Sequence, residues 1–198
     1  MQTMSQDMKN KVFILHCENA NPEQHWYIWL EQQLKSIGIA AERVVLADSS
    51  HPDAEVWQTC LEAQLNTINQ QSILVAHGLS CLAAARYLAD KLKGTSIKAA
   101  LFLAGFNETI PQHPEWNQFI QENSFESKYL RTNILRRIVF FSSNDPVVPV
   151  PYTFKFAHYI NAQLIEVSQA GHFCEDDGYR EFEHLFKVIQ TLVAAELN

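Results

Sequence analysis

The stretch that decides the fold runs from residue 73 to residue 84 and reads Ile73-Leu74-Val75-Ala76-His77-Gly78-Leu79-Ser80-Cys81-Leu82-Ala83-Ala84. Its first part is a short apolar run of the kind that forms a buried strand, and its second part is rich in alanine and leucine, which favour a helix. Small residues mark the point where the two parts meet. The stretch therefore predicts a buried strand that passes through a tight turn into an apolar helix.

A strand, a tight turn and a helix in this order are the setting of a nucleophile elbow, which has the pattern Gly-x-Ser-x-Gly. The apex serine lies on a strained turn, and the residues two positions either side must be small so that strand and helix can approach. If Gly78 is the apex, Ala76 and Ser80 are suitably small, but the nucleophilic oxygen is missing. If Ser80 is the apex, the oxygen is present, but Leu82 is too bulky for its position. Two registers are therefore open.

The two registers have different chemical consequences. If Gly78 is the apex, Ser80 lies in the first helical turn, where two residues mean about 3 Å of rise and roughly 200° of rotation. Its hydroxyl would then point away from a base that faces the apex. A glycine at the apex also avoids the steric cost that a serine would carry at positive φ. The fold is expected to tolerate either register.

Length and charge limit the class of protein. The chain has 198 residues, of which 47% are apolar, so we expect one domain spanning 1–198 with one substantial core. The net charge is −7. Because nucleic-acid binders usually carry a basic patch, we expect no nucleic-acid partner.

The polar first residues, the absence of a long apolar segment and the spacing of the cysteines predict the cellular compartment. The first ten residues are polar and no later segment is long and apolar enough to cross a bilayer, so we expect a cytoplasmic protein with no membrane partner. The cysteines lack C-x-x-C spacing and are expected to be reduced thiols. They are Cys17, Cys60, Cys81 and Cys174.

Apolar runs alternate with longer amphipathic runs along the chain. This alternation predicts an α/β fold of three layers, with a mostly parallel sheet of about six strands and helices on both faces. The expected strands, each apolar enough to be buried on both faces, are Lys11–His16, Glu42–Leu46, Ser72–His77, Lys98–Ala104, Arg137–Ser142 and Gln163–Val167. The expected helices are Pro22–Ile37, Ala54–Ile68, Leu79–Leu92, Tyr152–Asn161 and Tyr179–Leu197.

The segment 106–136 is longer than the usual connection between a strand and the next element. It contains two prolines and a tryptophan within residues of mixed polarity. Long connections of this kind often cover a site. We expect that the segment is either a short lid or cap over a site or a structured excursion that does not cover one.

Candidate chemistry follows the strands, because ligands of an open parallel sheet bind at the carboxyl ends of its strands. Asp145 follows the fifth expected strand and His172 follows the sixth. In a hydrolase, His172 would take the proton from the attacking hydroxyl, and Asp145 would orient the imidazole and stabilise the imidazolium. Each residue alone could be an ordinary loop residue. Together, in the chain order nucleophile, Asp, His, they predict the acid and base of a hydrolase.

The loop after the first strand is expected to supply part of an oxyanion hole. Such a hole takes one backbone N–H from this loop, here Cys17 or Glu18, and one from the residue after the nucleophile, here Leu79 if Gly78 is the apex. A glutamate is unfavourable in this position, because its carboxylate would oppose a developing oxyanion unless the side chain points away. The alternative is an ordinary loop that caps the next helix.

Other residues in these loops indicate a catalytic or metal-binding role less strongly. Cys174 lies two residues beyond His172 and is either a reactive thiol or an ordinary loop cysteine. His172, Cys174 and Asp176 have no matching second pair of ligands elsewhere, so we expect no metal site. Nothing in the sequence implies a cofactor.

The chain resembles the small YdeN-type serine hydrolases, relatives of the retinoblastoma-binding serine hydrolase in the α/β-hydrolase superfamily. The segments Ala76–Cys81, Ser143–Pro149 and Ala170–Phe173 carry the resemblance, and His25–Leu30 resembles that family's first helix. The similarity covers nearly the whole chain. It implies a compact α/β-hydrolase fold and hydrolysis of small carboxyl esters or amides, with the acid and base at the two positions named above.

The chain departs from that family at two places. The family reads His-Ser-Leu-Gly at the nucleophile, where this chain reads His77-Gly78-Leu79-Ser80. The family tends to have glycine and tryptophan where this chain has Cys17 and Glu18. Both departures fall on the expected active site.

Two functional hypotheses follow from these observations. In the first, the protein hydrolyses small esters or amides, and Ser80 completes the site with Asp145 and His172. In the second, Gly78 occupies the nucleophile position of a catalytically silent member that binds a small acyl ligand or a protein partner.

Overall fold

A computed structural model describes residues 9–195, which form a sheet of six parallel strands in the order β2-β1-β3-β4-β5-β6. The strands are β1 (Lys11–Leu15), β2 (Ala40–Val44), β3 (Ser72–His77), β4 (Ile97–Leu103), β5 (Ile134–Phe141) and β6 (Gln163–Glu166). The helices are α1 (Tyr27–Ser36), α2 (Ala54–Gln64), α3 (Ser80–Lys91), α4 (Asn117–Glu122), α5 (Ser127–Asn133), α6 (Val150–Ile160) and α7 (Glu183–Ala194).

The central strands form the core of the sheet. Every residue of β3 and β4 is buried, as expected of apolar runs covered on both faces. The two edge strands differ, because β2 alternates between exposed and buried residues and β6 is mostly exposed. The expectation that all six strands are buried on both faces is therefore wrong for β2 and β6, each of which has only one neighbouring strand.

The helices cover both faces of the sheet. Right-handed crossovers place α1 on one face, where it contacts α7, and place the helices of the later crossovers on the other. There α2 contacts α3, α3 contacts α5, and α5 contacts α6. The expected three-layer α/β sandwich with six strands is confirmed. None of the helices within residues 9–195 combines the length and apolar character that a membrane span requires.

Element boundaries differ from the expectation at several ends: α2 ends at Gln64 rather than Ile68, β5 begins at Ile134 rather than Arg137, and two helices begin late. α1 begins at Tyr27 rather than Pro22, because the residues before it form turns and His25 has a φ of 54°, outside the helical region. α7 begins at Glu183, four residues later than expected. The expected end of that helix at Leu197, the polar first eight residues and both ends of the expected domain 1–198 lie outside the described residues.

The segment 106–136 is largely helical. It contains a short 3₁₀ helix at Pro114–Trp116, then α4 and α5, and its last three residues belong to β5. Phe119 of α4 packs edge-on against Trp57 of α2, with ring centroids 5.1 Å apart. The side chain of Gln58 donates a hydrogen bond to Asn123 Oδ1 over 3.1 Å. The segment is therefore packed against α2, and its role as a lid stays a prediction.

The order of the strands places a topological switch point between the carboxyl ends of β1 and β3. From β1 the chain leads to β2, the neighbouring strand at one edge of the sheet. From β3 it leads to β4, in the direction of the opposite edge. Ligands of open α/β sheets bind where the connections diverge in this way. The loop that carries Glu18 and the turn that carries Gly78 follow these two strands.

Candidate active site

The turn between β3 and α3 has Gly78 at its apex. Gly78 has a φ of +60°, a conformation that residues with side chains rarely adopt. Its N–H donates to the carbonyl of Leu103 at the end of β4 over 3.0 Å, and α3 begins two residues later at Ser80. Of the two registers open to the sequence, this is the one with glycine at the apex.

The Ser80 hydroxyl is hydrogen-bonded to the backbone of its own turn. Its Oγ donates to the carbonyl of His77 over 2.9 Å and accepts from the N–H of His77 over 3.0 Å. The side chain is fully buried. Among the described residues, no group lies within hydrogen-bond distance of His172 Nε2, so Ser80 is outside the reach that general-base activation needs. The catalytic role of Ser80 stays a prediction that this conformation does not favour.

Asp145 and His172 lie in contact at the carboxyl ends of β5 and β6. His172 Nδ1 lies 3.0 Å from Asp145 Oδ1 and 2.9 Å from Oδ2. The same Oδ1 accepts from the backbone N–H groups of Val147 and Val148 over 2.8 and 2.9 Å. These bonds fix the carboxylate, which in turn fixes the orientation of the imidazole.

A second histidine holds the His172 backbone. The hydroxyl of Tyr27 donates to His77 Nδ1 over 2.7 Å, which leaves His77 Nε2 to donate to the carbonyl of His172, also over 2.7 Å. Burial, together with the charge of His172, lowers the pKa of His77 well below its ordinary value, so this ring is neutral. Sequence reasoning missed His77 and Tyr27, since their partners lie on distant segments.

The loop that carries His172 is tied down on its other side as well. Asp177 Oδ2 accepts from the backbone N–H of His172 over 2.9 Å and from that of Cys174 over 3.1 Å. Asn144, next to Asp145, accepts from the N–H of Gly171 over 2.9 Å. The acid and base loops are therefore joined directly, and the position of the imidazole does not depend on one contact.

The carboxylate of Glu18 fills the space beside Gly78. Its Oε2 accepts the backbone N–H of Leu79 over 2.8 Å, and its Oε1 lies 3.7 Å from His172 Nε2, at ion-pair rather than hydrogen-bond distance. A Cβ atom on Gly78 would overlap Glu18 Oε2 and would lie 3.1 Å from Cys17 Cβ. Glu18 therefore occupies the place that a side chain at position 78 would need, which sequence reasoning did not foresee.

The expected oxyanion donors already have partners. The N–H of Leu79 donates to Glu18, and the N–H of Cys17 donates to the hydroxyl of Tyr27 over 3.0 Å. Two of the three groups named from the sequence are therefore hydrogen-bonded inside the protein. Their role as an oxyanion hole stays a prediction.

The site is an imidazolium between two carboxylates. Burial alone would lower the pKa of His172, but the carboxylates of Asp145 and Glu18 outweigh it and raise that pKa to about 10. Burial would raise the pKa of Glu18, but His172 and the Leu79 N–H lower it below its ordinary value. At neutral pH Glu18 is charged and His172 is protonated. A protonated imidazole cannot take a proton from an attacking hydroxyl.

Comparison with known proteins identifies relatives over almost the whole chain. A family model described as serine hydrolase matches residues 12–191. YdeN from Bacillus subtilis (strain 168) is 28% identical over 189 residues, which are 96% of this chain and 99% of YdeN. The crystal structure of the B. subtilis ydeN gene product superposes with a TM-score of 0.87 at 27% identity, covering 94% of this chain and 100% of that one.

A second curated relative is more distant. The serine hydrolase RBBP9 from Rattus norvegicus is 21% identical over 173 residues, which cover 87% of this chain and 88% of RBBP9. A YdeN-like hydrolase structure from Pectobacterium atrosepticum has a TM-score of 0.70 at 20% identity and covers 93% of this chain and 91% of its own. At that identity the likeness concerns the fold alone.

Proposed function

Because this chain belongs to the serine hydrolase family of the α/β-hydrolase superfamily, we propose that it is a YdeN-like member in which serine-dependent hydrolysis is silent. In this proposal the site binds a small acyl ligand without cleaving it. The observation that carries the proposal is the Glu18 carboxylate, which accepts the Leu79 N–H and fills the space that a nucleophile at position 78 would need.

Three requirements of serine catalysis are unmet in this geometry. Gly78 has no oxygen, and loss of the nucleophile of a serine triad costs on the order of 10⁶ in turnover. The Leu79 N–H, which would stabilise an oxyanion, already binds a negative charge. His172 carries its proton at neutral pH, because its pKa is raised to about 10. Each of these conditions alone would lower the rate of ester hydrolysis.

A second candidate function is hydrolysis of small esters or amides through Ser80, Asp145 and His172. The observation that favours it is the intact hydrogen bonding between Asp145 and His172, whose Nε2 is buried and has no hydrogen-bond partner among the described residues. This function would require Ser80 to leave His77 and Glu18 to leave Leu79. Both movements break hydrogen bonds of a buried site, which costs about 1–3 kcal/mol for each group left unpaired.

Covalent labelling and turnover of the wild-type protein test the proposal. The protein is incubated with a fluorophosphonate and its intact mass is measured; we expect no adduct. With p-nitrophenyl acetate, we expect the same background rate for the wild type, Ser80→Ala and His172→Gln, because none of them has a working nucleophile. Circular dichroism of each variant controls for folding.

A different result would select the second candidate. An adduct that maps to Ser80, together with a rate that falls at least about 100-fold in both Ser80→Ala and His172→Gln, would contradict the silent site. His172→Gln leaves the hydrogen bonds of Ser80 untouched, so a loss in that variant cannot be attributed to the turn. Labelling of any other serine would contradict both candidates.

The proposed setting is the cytoplasm. The four cysteines are free thiols in the structure, as is usual where glutathione and thioredoxin keep thiols reduced. A small molecule is the proposed ligand because the chain belongs to a family of serine hydrolases. A protein partner stays a prediction.

A further inference from the structure

Three side chains with sulfur or imidazole groups meet beside the active site. The ligand atoms of Cys17, His25 and Cys174 lie within 4.8 Å of one another. Cys17 is buried at 3% exposure, whereas Cys174 is half-buried. Of the two cysteines, Cys174 is therefore the one more open to a small molecule from outside.

The hydrogen bonds of the cluster assign a role to each group. His25 Nδ1 accepts the backbone N–H of Glu175 over 3.0 Å, which leaves Nε2 as the ring's donor. The pKa of Cys174 is lowered to about 5, mainly because the Cys17 thiol donates to it, with a further contribution from His25. The pKa of Cys17 is raised well above its ordinary value by the same neighbour and by burial. Cys174 is thus the more acidic of the two thiols, and its Sγ lies 3.7 Å from the carbonyl oxygen of His172.

We propose that Cys174 and Cys17 form a redox-active thiol pair that reduces a hydroperoxide and closes into a disulfide. The proposal rests on the approach of the two sulfurs, on the exposure of one and burial of the other, and on the imidazole beside them. A half-buried thiolate next to a second cysteine is the arrangement that favours reversible oxidation. The proposal of a redox-active thiol pair does not depend on whether the hydrolase site is silent.

The reaction balances in two steps. The Cys174 thiolate attacks one oxygen of the hydroperoxide, the O–O bond breaks, and the departing alkoxide takes a proton from water and becomes an alcohol. The sulfur is now a sulfenic acid, oxidised by two electrons, and the peroxide has been reduced by two. The Cys17 sulfur then attacks the sulfenic sulfur, the S–O bond breaks, and the hydroxide leaves as water with the Cys17 proton.

A metal ion is the other occupant that such a cluster can hold. Zinc in proteins usually takes three or four protein ligands, and a Cys₂His set would leave one position open. The ring of His25 makes this less favourable, because Nδ1 already accepts the Glu175 N–H and Nε2 carries the remaining proton. Binding of a metal through Nε2 would require both nitrogens to act as acceptors. The thiol pair needs no such change.

The disulfide would join the two loops that hold the active site. Cys17 precedes Glu18, and Cys174 lies two residues beyond His172. A bond between them would fix the Glu18 carboxylate beside the imidazole. Because the two sulfurs start within 4.8 Å of each other, we expect them to close to the disulfide distance of about 2.05 Å without loss of the fold.

The first test is oxidation of the full-length protein with hydrogen peroxide, followed by non-reducing peptide mapping and thiol titration. We expect a Cys17–Cys174 link and a fall from four free thiols to two. Cys17→Ser should instead accumulate a sulfenic acid on Cys174 that dimedone traps, and Cys174→Ser should abolish the reaction. Cys60→Ser and Cys81→Ser are the matched controls, and both should oxidise like the wild type.

The second test is the pH dependence of alkylation by iodoacetamide, read by mass spectrometry. Between pH 6 and pH 8 the rate at Cys174 should change less than twofold, whereas an ordinary thiol with a pKa near 8.5 becomes about 75-fold faster. Free Cys17 and Cys174 after peroxide treatment, or no dimedone adduct in a folded Cys17→Ser, would overturn the proposal. Tight binding of one zinc ion by the reduced protein without a peroxide-driven link would assign the cluster to a metal and would overturn it too.

Discussion

Gly78 and Glu18 fit each other sterically. A side chain at position 78 would collide with the Glu18 carboxylate, and at a φ of +60° any residue other than glycine would carry strain. In return, the turn offers Glu18 the Leu79 N–H, and the loop after β6 places the charge of His172 beside it. The carboxylate is therefore buried with partners, as a buried charge must be. The absence of a side chain at Gly78 makes room for the Glu18 carboxylate, and the carboxylate leaves no room for a side chain at position 78. We therefore expect that a substitution at only one of the two positions does not create an active site.

The raised pKa of His172 predicts a loss of stability at high pH. The folded-state pKa of about 10 lies above the ordinary value of 6.5, so the stabilisation is complete below pH 6.5 and is lost as the pH rises towards 10. The charged groups that face the ring are Asp145 and Glu18, and the His77 ring, which lies beside it at an interplanar angle of 33°, is neutral. We expect the free energy of unfolding in urea to fall between pH 7 and pH 9.5.

The control for this pH dependence is His172→Gln, which has no proton to lose. Its free energy of unfolding should change less over the same pH range than that of the wild type. NMR titration of the His172 ring gives the pKa directly. A ring that loses its proton between pH 6 and pH 7 would contradict the imidazolium between two carboxylates.

Some features of the elements follow from sequence periodicity and others do not. The central strands β3 and β4 could be predicted because their apolar runs are uninterrupted. The edge strand β6 was expected to be buried, because Leu164 and Ile165 are apolar, yet burial also depends on which neighbours cover a strand. Likewise, Pro22 is compatible with the start of a helix, but the backbone of His25 has a left-handed conformation, so α1 begins only at Tyr27.

The candidate site was predictable as far as loop positions are concerned. Asp145 and His172 follow strands whose carboxyl ends must share one edge of a parallel sheet, so their approach follows from topology. The direction of the Glu18 side chain could not be predicted, since it depends on an N–H from a segment 61 residues away. The cluster of Cys17 and Cys174 was missed for the same reason, because its members come from opposite ends of the chain.

The close approach of Phe156 in α6 to Gly105, in the loop after β4, predicts different effects for two glycine substitutions. A Cβ on Gly105 would lie 2.7 Å from Phe156 of α6, whereas nothing lies within 4 Å of a Cβ on Gly94. Gly105→Ala should therefore lower the free energy of unfolding by about 1–3 kcal/mol, because the buried aromatic ring must move. Gly94→Ala is the matched control and should leave it unchanged or raise it slightly. Urea denaturation measures both, and equal effects would argue against this packing.

At the scale of the whole molecule, the fold of the family persists although its chemistry is proposed to be absent. The six parallel strands keep the order β2-β1-β3-β4-β5-β6, and the whole fold superposes on the YdeN crystal structure with a TM-score of 0.87. The stability of this arrangement comes from the buried central strands and their helices, none of which depends on a nucleophile. In the proposed function, the two residues Gly78 and Glu18 are what makes the site silent.

The most direct test of the account is labelling of a double variant, Gly78→Ser with Glu18→Gly, by a fluorophosphonate, read as intact mass. The new serine lies at the apex, the Leu79 N–H is free, and His172 has lost one carboxylate. We expect an adduct on Ser at position 78 and p-nitrophenyl acetate turnover at least about 100-fold above the wild type, while Gly78→Ser alone stays unlabelled. A folded double variant without an adduct, or a wild type that is labelled, would contradict the account.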